Sequence, residues 1–512
     1  MVEWLEVAPF IKFLSHTRFL LTLRSKEGKY HSLILFRLSV DGGAEASVGS
    51  GLGDAGKVEV GSGSGDGGGV SRECEGVERQ MYVMEASCPH LGADLSHAEI
   101  EECETGLVAV CPWHRYDFDL RTGKSEMGLK ACTYAVKVVQ QPDKGSTDKE
   151  VDVVYIEIPE GGSGWRLVEL RPVSEEFADP PPPPPPAPVV APTEEAEGRS
   201  TSQKEPELLV PLLGAPKTLM QWAVLILNTP DPVLKVQRTR HAVHLFRTGQ
   251  LASIGHKSAN APKPPDVPAR DASFTRNMMD PGKMKSGRKN RAVMLHALAN
   301  IEQWAWDIMA RFGPAHPELP PAFFSDFTKM ALDESKHFTL LTARLAALSP
   351  STPYGSMPVH ASLWESASAT AHSLRSRLAI IHLVHEARGL DVNPGTIERF
   401  RRAGDRESVS VMEVIHADEV THVTAGHRWF TWCCMQEGEV DAVRTFRQEV
   451  TKAWKGDIKG PFNVEDREKA GMTREFYENL RGEMKEEDGG KEKEKEGIGS
   501  LSKEIASVSI GY

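Results

Sequence analysis

Glu334-Ser335-Lys336-His337 and Glu419-Val420-Thr421-His422 decide how the second half of this chain folds. In each, a carboxylate and an imidazole stand three residues apart, so on a helix they share one face. Phe327, Met330 and Leu341 fall on that face around the first motif, and Met412, Ile415 and Val423 around the second. Two further glutamates have apolar neighbours at helical spacing: Glu302 with Leu295, Leu298, Ala305 and Met309, and Glu386 with Ala379, Leu383 and Leu390. A lone carboxylate on an apolar face is costly unless it is paired or metal-bound. The order is Glu, Glu-x-x-His, Glu, Glu-x-x-His. The separations nearly repeat, with 32 residues from Glu302 to Glu334 and 33 from Glu386 to Glu419. Four helices pointing these six ligands inward describe a carboxylate-bridged two-metal site. Hard oxygens with two imidazoles suit iron or manganese. The competing reading, a set of satisfied core polar groups, does not account for the repeat.

The surrounding pattern is helical from about residue 207. Apolar residues recur at helical spacing over Leu219–Leu227, Val233–Phe246, Ala292–Phe312, Phe323–Leu348, Leu374–Leu390 and Val409–Met435. Asp326 and Ser408 stand near two starts as N-terminal helix signals. His382, His385, His416 and Asp418 lie within about one turn of the candidate ligands. Partners that orient the imidazoles and ordinary helix-surface residues are equally good readings of them. His241 and His244, beside Arg238, Arg240 and Arg247, lack carboxylates and read as surface. The run Lys283, Lys285, Arg288, Lys289, Arg291 reads as a solvated loop, with a phosphate or nucleotide contact as the sharper alternative.

The first part of the chain follows another period. Short apolar runs such as Phe19–Leu23, Ser32–Phe36, Gln80–Glu85, Leu107–Val110, Thr133–Val139 and Val151–Ile158 predict a small antiparallel sandwich or barrel. Between them lie Cys88-Pro89-His90-Leu91-Gly92 and Cys111-Pro112-Trp113-His114, with 20 residues separating His90 from Cys111. Each half offers one thiolate and one imidazole on a turn that a proline stiffens. Four such ligands can hold a zinc, or a two-iron cluster with both cysteines on one iron and both histidines on the other. Structural zinc sites usually pair like ligands closely, whereas here each cysteine travels with its own histidine. Cys74, Cys103 and Cys132 have no partner motif and read as free thiols, and His97 as a surface imidazole.

The Cys-x-His … Cys-x-x-His pattern resembles the Rieske iron–sulfur domain over residues 1–165, with Phe118-Asp119 and Thr122-Gly123 in support. The resemblance implies a 2Fe-2S cluster on Cys88, His90, Cys111 and His114. The high-potential branch of that family carries an extra cysteine in each loop and a serine bonded to a sulfide. Ala93 and Trp113 stand at the cysteine positions, and Arg115 and Tyr116 follow His114. Fewer hydrogen bonds to the cluster imply the ferredoxin or oxygenase type, near the ~−150 mV end of the Rieske range. Arg115 takes the place of a common glycine.

The second half resembles the ferritin-like superfamily over about 209–440. Around Arg291–Asp307, Asp333–His337, His382–Asp391 and His416–His422 it is similar to a largely uncharacterised family there, catalogued as a domain of unknown function. A more distant likeness is to tRNA-modifying hydroxylases of the same superfamily. The resemblance implies metal ligation by Glu302, Glu334, His337, Glu386, Glu419 and His422. It does not carry over a substrate.

These readings predict a multidomain chain. An all-β Rieske-type domain spans 1–165, with a glycine-rich insertion at 41–75. A proline-rich linker at 166–206 contains seven consecutive prolines, Pro180 to Pro186. An all-α ferritin-like four-helix bundle follows at 207–483, then a charged tail at 484–512. A net charge of −12 argues against a general nucleic-acid binder with a basic surface. Seven cysteines make no disulfide framework, and neither a membrane span nor a signal peptide is legible. The expected location is therefore cytoplasmic.

Together the two sites predict an oxidoreductase in which the Rieske cluster feeds electrons to a di-iron (or Fe/Mn) centre that activates O2. No nicotinamide or flavin fingerprint is present, so an external reductase is expected. The substrate, a small molecule or nucleotide, is not legible. The alternatives are ferroxidase-like iron binding, or electron carriage without substrate oxygenation. The oligomeric state is open, a dimer being among the expected forms.

Overall fold

The structure, a computed structural model, describes residues 3–38, 81–103, 106–142, 150–173, 207–270, 291–299, 304–357, 362–438 and 440–484. Glu302, Cys74, the glycine-rich insertion, Lys283, Lys285, Arg288, Lys289, the proline tract and the tail beyond Met484 lie outside them. The chain divides into two compact units. The first comprises Met1–Ala86, Ile100–Val110 and Tyr116–Val173; the second comprises Ser87–Glu99, Cys111–Arg115 and Ser174–Tyr512.

The first unit is built of antiparallel strands. A five-stranded sheet holds, in order, Arg166–Pro172, Arg18–Arg24, Tyr30–Arg37, Met81–Glu85 and Thr133–Tyr134. A three-stranded sheet holds Trp4–Pro9, Glu150–Glu157 and Val136–Pro142. Alternation explains the pairing: Phe19 faces Leu35 and Leu21 faces Leu33 across the ladder. These four join Phe13, Val83, Val154, Ile156 and Trp165 in one core. Two neighbouring strands fixed in this register put every second side chain on the same buried face. Arg166–Pro172, which the sequence reading places in the linker, is an edge strand paired with Arg18–Arg24. Leu167 and Leu170 pack against the core and hold it there.

The second unit is helical, apart from a short ribbon of Lys455–Asp457 with Arg481–Glu483 and the two loop segments. Its longest helices are Pro321–Leu348 (here αA) and Arg406–Gln436 (αB), which pack on one another. αA also packs against Arg291–Leu298, Trp304–Phe312 and Pro232–Arg247. αB packs against a segment that is π-helical over Leu378–Glu386 and α-helical over Ala387–Arg402. A π turn inside an α-helix frequently marks a functional position. The sequence anticipates these helices but not all their caps. αA starts five residues before Asp326, with proline in its first turn. Asp326 instead accepts hydrogen bonds from Arg428 and Trp429. αB is capped by Asp405, whose Oδ1 accepts from the backbone N–H of Ser408.

Two glycines set the register of αB against the π segment. A Cβ on Gly426 would lie 2.4 Å from His382 Cβ, and one on Gly389 would lie 4.0 Å from Glu419 Oε2. As one chain advances from 382 to 389, the other retreats from 426 to 419. The segments are therefore antiparallel, and Glu386 comes opposite His422. No described helix is long and apolar enough to cross a membrane.

Candidate metal centres

The two Cys–His loops share one local construction. The N–H of Gly92 bonds to the carbonyl of Cys88 at 2.8 Å, and that of Arg115 to the carbonyl of Cys111 at 3.0 Å. In both loops the residue four after the cysteine is left-handed, with φ of 75° at Gly92 and 59° at Arg115. Arginine thus occupies a glycine conformation, and its guanidinium pairs with Glu99. The turns bring the four candidate ligands together. Cys88 and Cys111 are buried, and their sulfurs are within hydrogen-bonding reach of each other. The His90 and His114 rings meet edge to face with centroids 4.8 Å apart. Hydrogen bonding between the sulfurs holds the Cys111 thiol down at about 6 and pushes that of Cys88 up. Backbone N–H groups of His90 and Leu91 face the Cys88 sulfur, and those of Trp113 and His114 face that of Cys111. Two buried, N–H-solvated sulfurs beside two imidazoles fit a 2Fe-2S group with mixed ligation. Cys103 and Cys132 are exposed free thiols, as expected.

Within the second unit both loops touch helices. Asp94 Oδ2 lies 3.1 Å from Lys329 Nζ on αA. Burial opposes ionisation of Asp94, but Lys329, His97 and Ser96 outweigh it and hold the carboxyl well below its usual range. Trp113 Nε1 donates to the carbonyl of Phe246 at 2.9 Å, and its ring packs on that phenyl. Gly249, at φ 69°, lets the chain pass so close that a Cβ would fall 2.8 Å from Trp113 Cα.

The helical constellation lies between αA and αB. Donor atoms of Glu334, Glu419 and His422 all fall within 4.8 Å of one another. Glu334 Oε1 lies 3.3 Å from His422 Nδ1 and 3.7 Å from His337 Nδ1. Glu419 presents its two oxygens at 3.9 Å from His337 Nδ1 and 3.7 Å from His422 Nδ1. Both imidazoles therefore aim Nδ1 at both carboxylates. Their far nitrogens are tied crosswise: His337 Nε2 to Asp418 at 2.9 Å, and His422 Nε2 to Asp333 at 3.4 Å. Lys336 Nζ lies 3.2 Å from Asp333 and 2.6 Å from Asp418.

Electrostatics follow from this packing. Burial opposes protonation of His337, but Asp418 and Glu334 outweigh it and raise the imidazole to about 10. His422 is likewise raised by Asp333, Glu334 and Glu419 against burial. Burial would raise Glu334, yet the two imidazoles hold it at about 2. Burial does raise Glu419, with His422 opposing. The site is thus a nest of closely packed charges whose Nδ1 and carboxylate donors face each other. That donor set fits hard or borderline divalent metals with Nδ1 ligation. Glu386 is buried on the π segment, its Oε2 2.9 Å from His382 Nδ1.

Sequence reasoning offers Asp418 as an orienting partner, the place it takes on His337 Nε2, and gives Asp333 and Lys336 no role. The signal was present: both motifs read Asp-Glu-x-x-His. His416 bonds to Asp466 instead, and His385 to Ser366. Both point to partners outside the ligand group, so the orienting role considered for them falls away. His241 packs edge-on against Trp222. Arg291, the described member of the basic run, is engaged by Asp405 at 2.9 Å.

Comparison with known families gives two matches. Residues 69–136 match the model of the Rieske [2Fe-2S] domain. Residues 228–478 match a family described as protein of unknown function (DUF455). The chain is thus a Rieske domain joined to a domain of that second family. The Rieske match supports an iron–sulfur cluster and an electron-transfer role. An uncharacterized protein of Haemophilus influenzae is 36% identical over 189 residues, covering 36% of this chain and 65% of that protein. The chain therefore spans just under two thirds of that relative's length.

Proposed function

We propose that this chain is a redox enzyme that carries its own electron donor. Cys88, His90, Cys111 and His114 hold a Rieske 2Fe-2S cluster. Glu334, His337, Glu386, Glu419 and His422, with Glu302 as the sixth ligand, hold two metals, iron or Fe/Mn, in a ferritin-like four-helix arrangement. Two metals bound there supply O2 activation, with electrons arriving one at a time through the cluster.

The observation that carries this reading is the convergence of both Glu-x-x-His motifs on one point, each imidazole fixed by the other motif's aspartate. Crosswise bonds leave Nδ1 of each ring as the free donor and hold it in place. Lys336 balances the charge of Asp333 and Asp418, so both can stay ionised while buried. Glu334, held ionised, sets one carboxylate oxygen near both Nδ1 atoms and would serve as a ligand beside both imidazoles. The loops carrying Cys88 and Cys111 fall in the same compact unit as these helices, which supports electron delivery to them. An external reductase fills the cluster, and the substrate is a small molecule or nucleotide.

The test is metal analysis with Mössbauer spectra of iron-grown protein, followed by stopped-flow mixing of the reduced protein with O2. Two irons in a valence-localised cluster and two more in a coupled pair are expected, with cluster oxidation following O2 addition. Zinc in place of the coupled pair overturns the redox role of the helices. A cluster that stays reduced while the pair is oxidised overturns the donor role.

A further inference from the structure

We propose that His382 is a third imidazole ligand of the helical metal centre, binding through Nδ1 beside Glu386. The proposal rests on the two-metal reading above and adds a ligand outside the Glu, Glu-x-x-His repeat.

His382 is fully buried, and Glu386 nearly so. Among the described residues, neither nitrogen of His382 and not Oε2 of Glu386 has a hydrogen-bond partner. The two motif imidazoles and His296 are tied: Nε2 of His337 to Asp418, of His422 to Asp333, and of His296 to the backbone of Gly355. His256 shares the lack of partners, but packs on Phe324 with no described carboxylate beside it. A buried polar ring without a partner is costly, and in a native protein it points to an ion or ligand. His382 Nδ1 and Glu386 Oε2 lie 2.9 Å apart without the alignment of a hydrogen bond. Two donors on adjacent corners of one metal, each bonded at about 2.1 Å, stand roughly 3 Å from each other. The separation is therefore that of two donors sharing a cation.

Position agrees with this. The antiparallel register puts Glu386 opposite His422, so His382 stands one turn away, beside Gly426. Gly426 is what admits the ring, since a Cβ there would overlap His382 Cβ at 2.4 Å. Phe327 of αA closes another side, with ring centroids 5.3 Å apart. On the π-helical segment Leu378–Glu386, His382 and Glu386 stand about one turn apart, and their side chains meet in the same space at 2.9 Å. The pocket is shaped for an imidazole and, among the described residues, offers it no other hydrogen-bond partner.

The test uses the full chain with its cluster, under anaerobic conditions, and Co2+ as the probe. Proton NMR in water counts the strongly shifted, exchangeable imidazole N–H signals that appear on adding Co2+. Three are expected, from His337, His382 and His422. His382→Phe should remove one and weaken Co2+ binding roughly tenfold to a hundredfold, as loss of a ligand contact does. Two signals in the unmodified protein overturn the proposal, and that count decides even where the variant fails to fold. Unchanged Co2+ affinity in His382→Phe also overturns it. The underlying reading is tested separately by Glu334→Ala. If that variant keeps every new signal, the metal is bound elsewhere and the two-metal reading fails instead.

Discussion

His337 Nε2 lies 2.9 Å from Asp418 Oδ2 on the facing helix, and the reverse pair, His422 with Asp333, closes the same loop at 3.4 Å. Each motif therefore orients the imidazole of the other. Asp418→Asn or Asp333→Asn should lower Fe2+ affinity by about 10- to 100-fold. Anaerobic titration against a competing chelator measures it. A loss of thermal stability with unchanged affinity would make the aspartates merely structural.

Arg115 stands in the conformation that Gly92 takes in the other loop. A non-glycine residue there costs about 1 kcal/mol or more. Its ion pair with Glu99 is exposed and offsets little of that. Arg115→Gly should therefore leave cluster content unchanged and slow thermal loss of the cluster, followed by its visible absorbance. Gly92→Ala should do the opposite, because it adds backbone strain and presses a methyl to within 3.3 Å of Pro321.

The N–H groups around the two sulfurs are backbone donors at His90, Leu91, Trp113 and His114. Neither Ala93 nor Trp113 can form the disulfide of the high-potential branch. The cluster midpoint should fall near −150 mV, at the low end of the Rieske range of about −150 to +300 mV. An EPR-monitored redox titration that returned a value above zero would contradict this.

Lys235 is buried with Nζ on the carbonyl of Ala269 at 2.5 Å. Burial, aided by Arg270 and opposed by Asp231, lowers it from 10.5 to about 7. Between those values the unfolded chain binds more protons than the folded one, so stability rises with pH across that window. Below pH 7 the cost is fully present, at most on the order of 5 kcal/mol. Lys235→Met should stabilise the protein at neutral pH by roughly 1–2 kcal/mol, since it also strands one carbonyl. Denaturant melts at pH 7 and pH 10 check the sign: the gain should shrink at the higher pH.

What was legible in the sequence was local. An i, i+3 pair needs only helical periodicity, so Glu334 with His337 and Glu419 with His422 could be placed together before any fold was known. Short strands with alternating apolar residues announced the sheets equally well. Asp418 was legible as an orienting candidate, but the crosswise pairing was not, because each aspartate acts on a ring 81 or 89 residues away and only the packing of two helices joins them. The π segment has no composition of its own: Leu378–Glu386 reads as an ordinary apolar helix. Arg166–Pro172 was assigned to the linker because its charged residues alternate with too few apolar ones, and its pairing with Arg18–Arg24 is long-range. Glu302 lies outside the described residues, so its place in the ligand set stays with the sequence reading.

Gly426 offers the sharpest test of how packing serves the site. In an exposed helix interior, glycine to alanine usually stabilises by about 1 kcal/mol through backbone entropy. At this position the added methyl would meet His382 Cβ at 2.4 Å, far inside contact distance. Neither partner can yield easily, because His382 is fully buried and αB is held along the π segment. Overpacking of this kind costs typically 1–3 kcal/mol, so the steric term exceeds the propensity gain and the sign reverses. Gly426→Ala should therefore lower the melting temperature. Because the same methyl pushes the His382 backbone and Glu386 lies one turn on, metal content should fall with it. Gly395→Ala is the control, since a Cβ there meets nothing within 4 Å and the substitution should be neutral or stabilising. Melting curves and metal analysis on both variants decide it: equal behaviour would mean that Gly426 is not holding space for the imidazole.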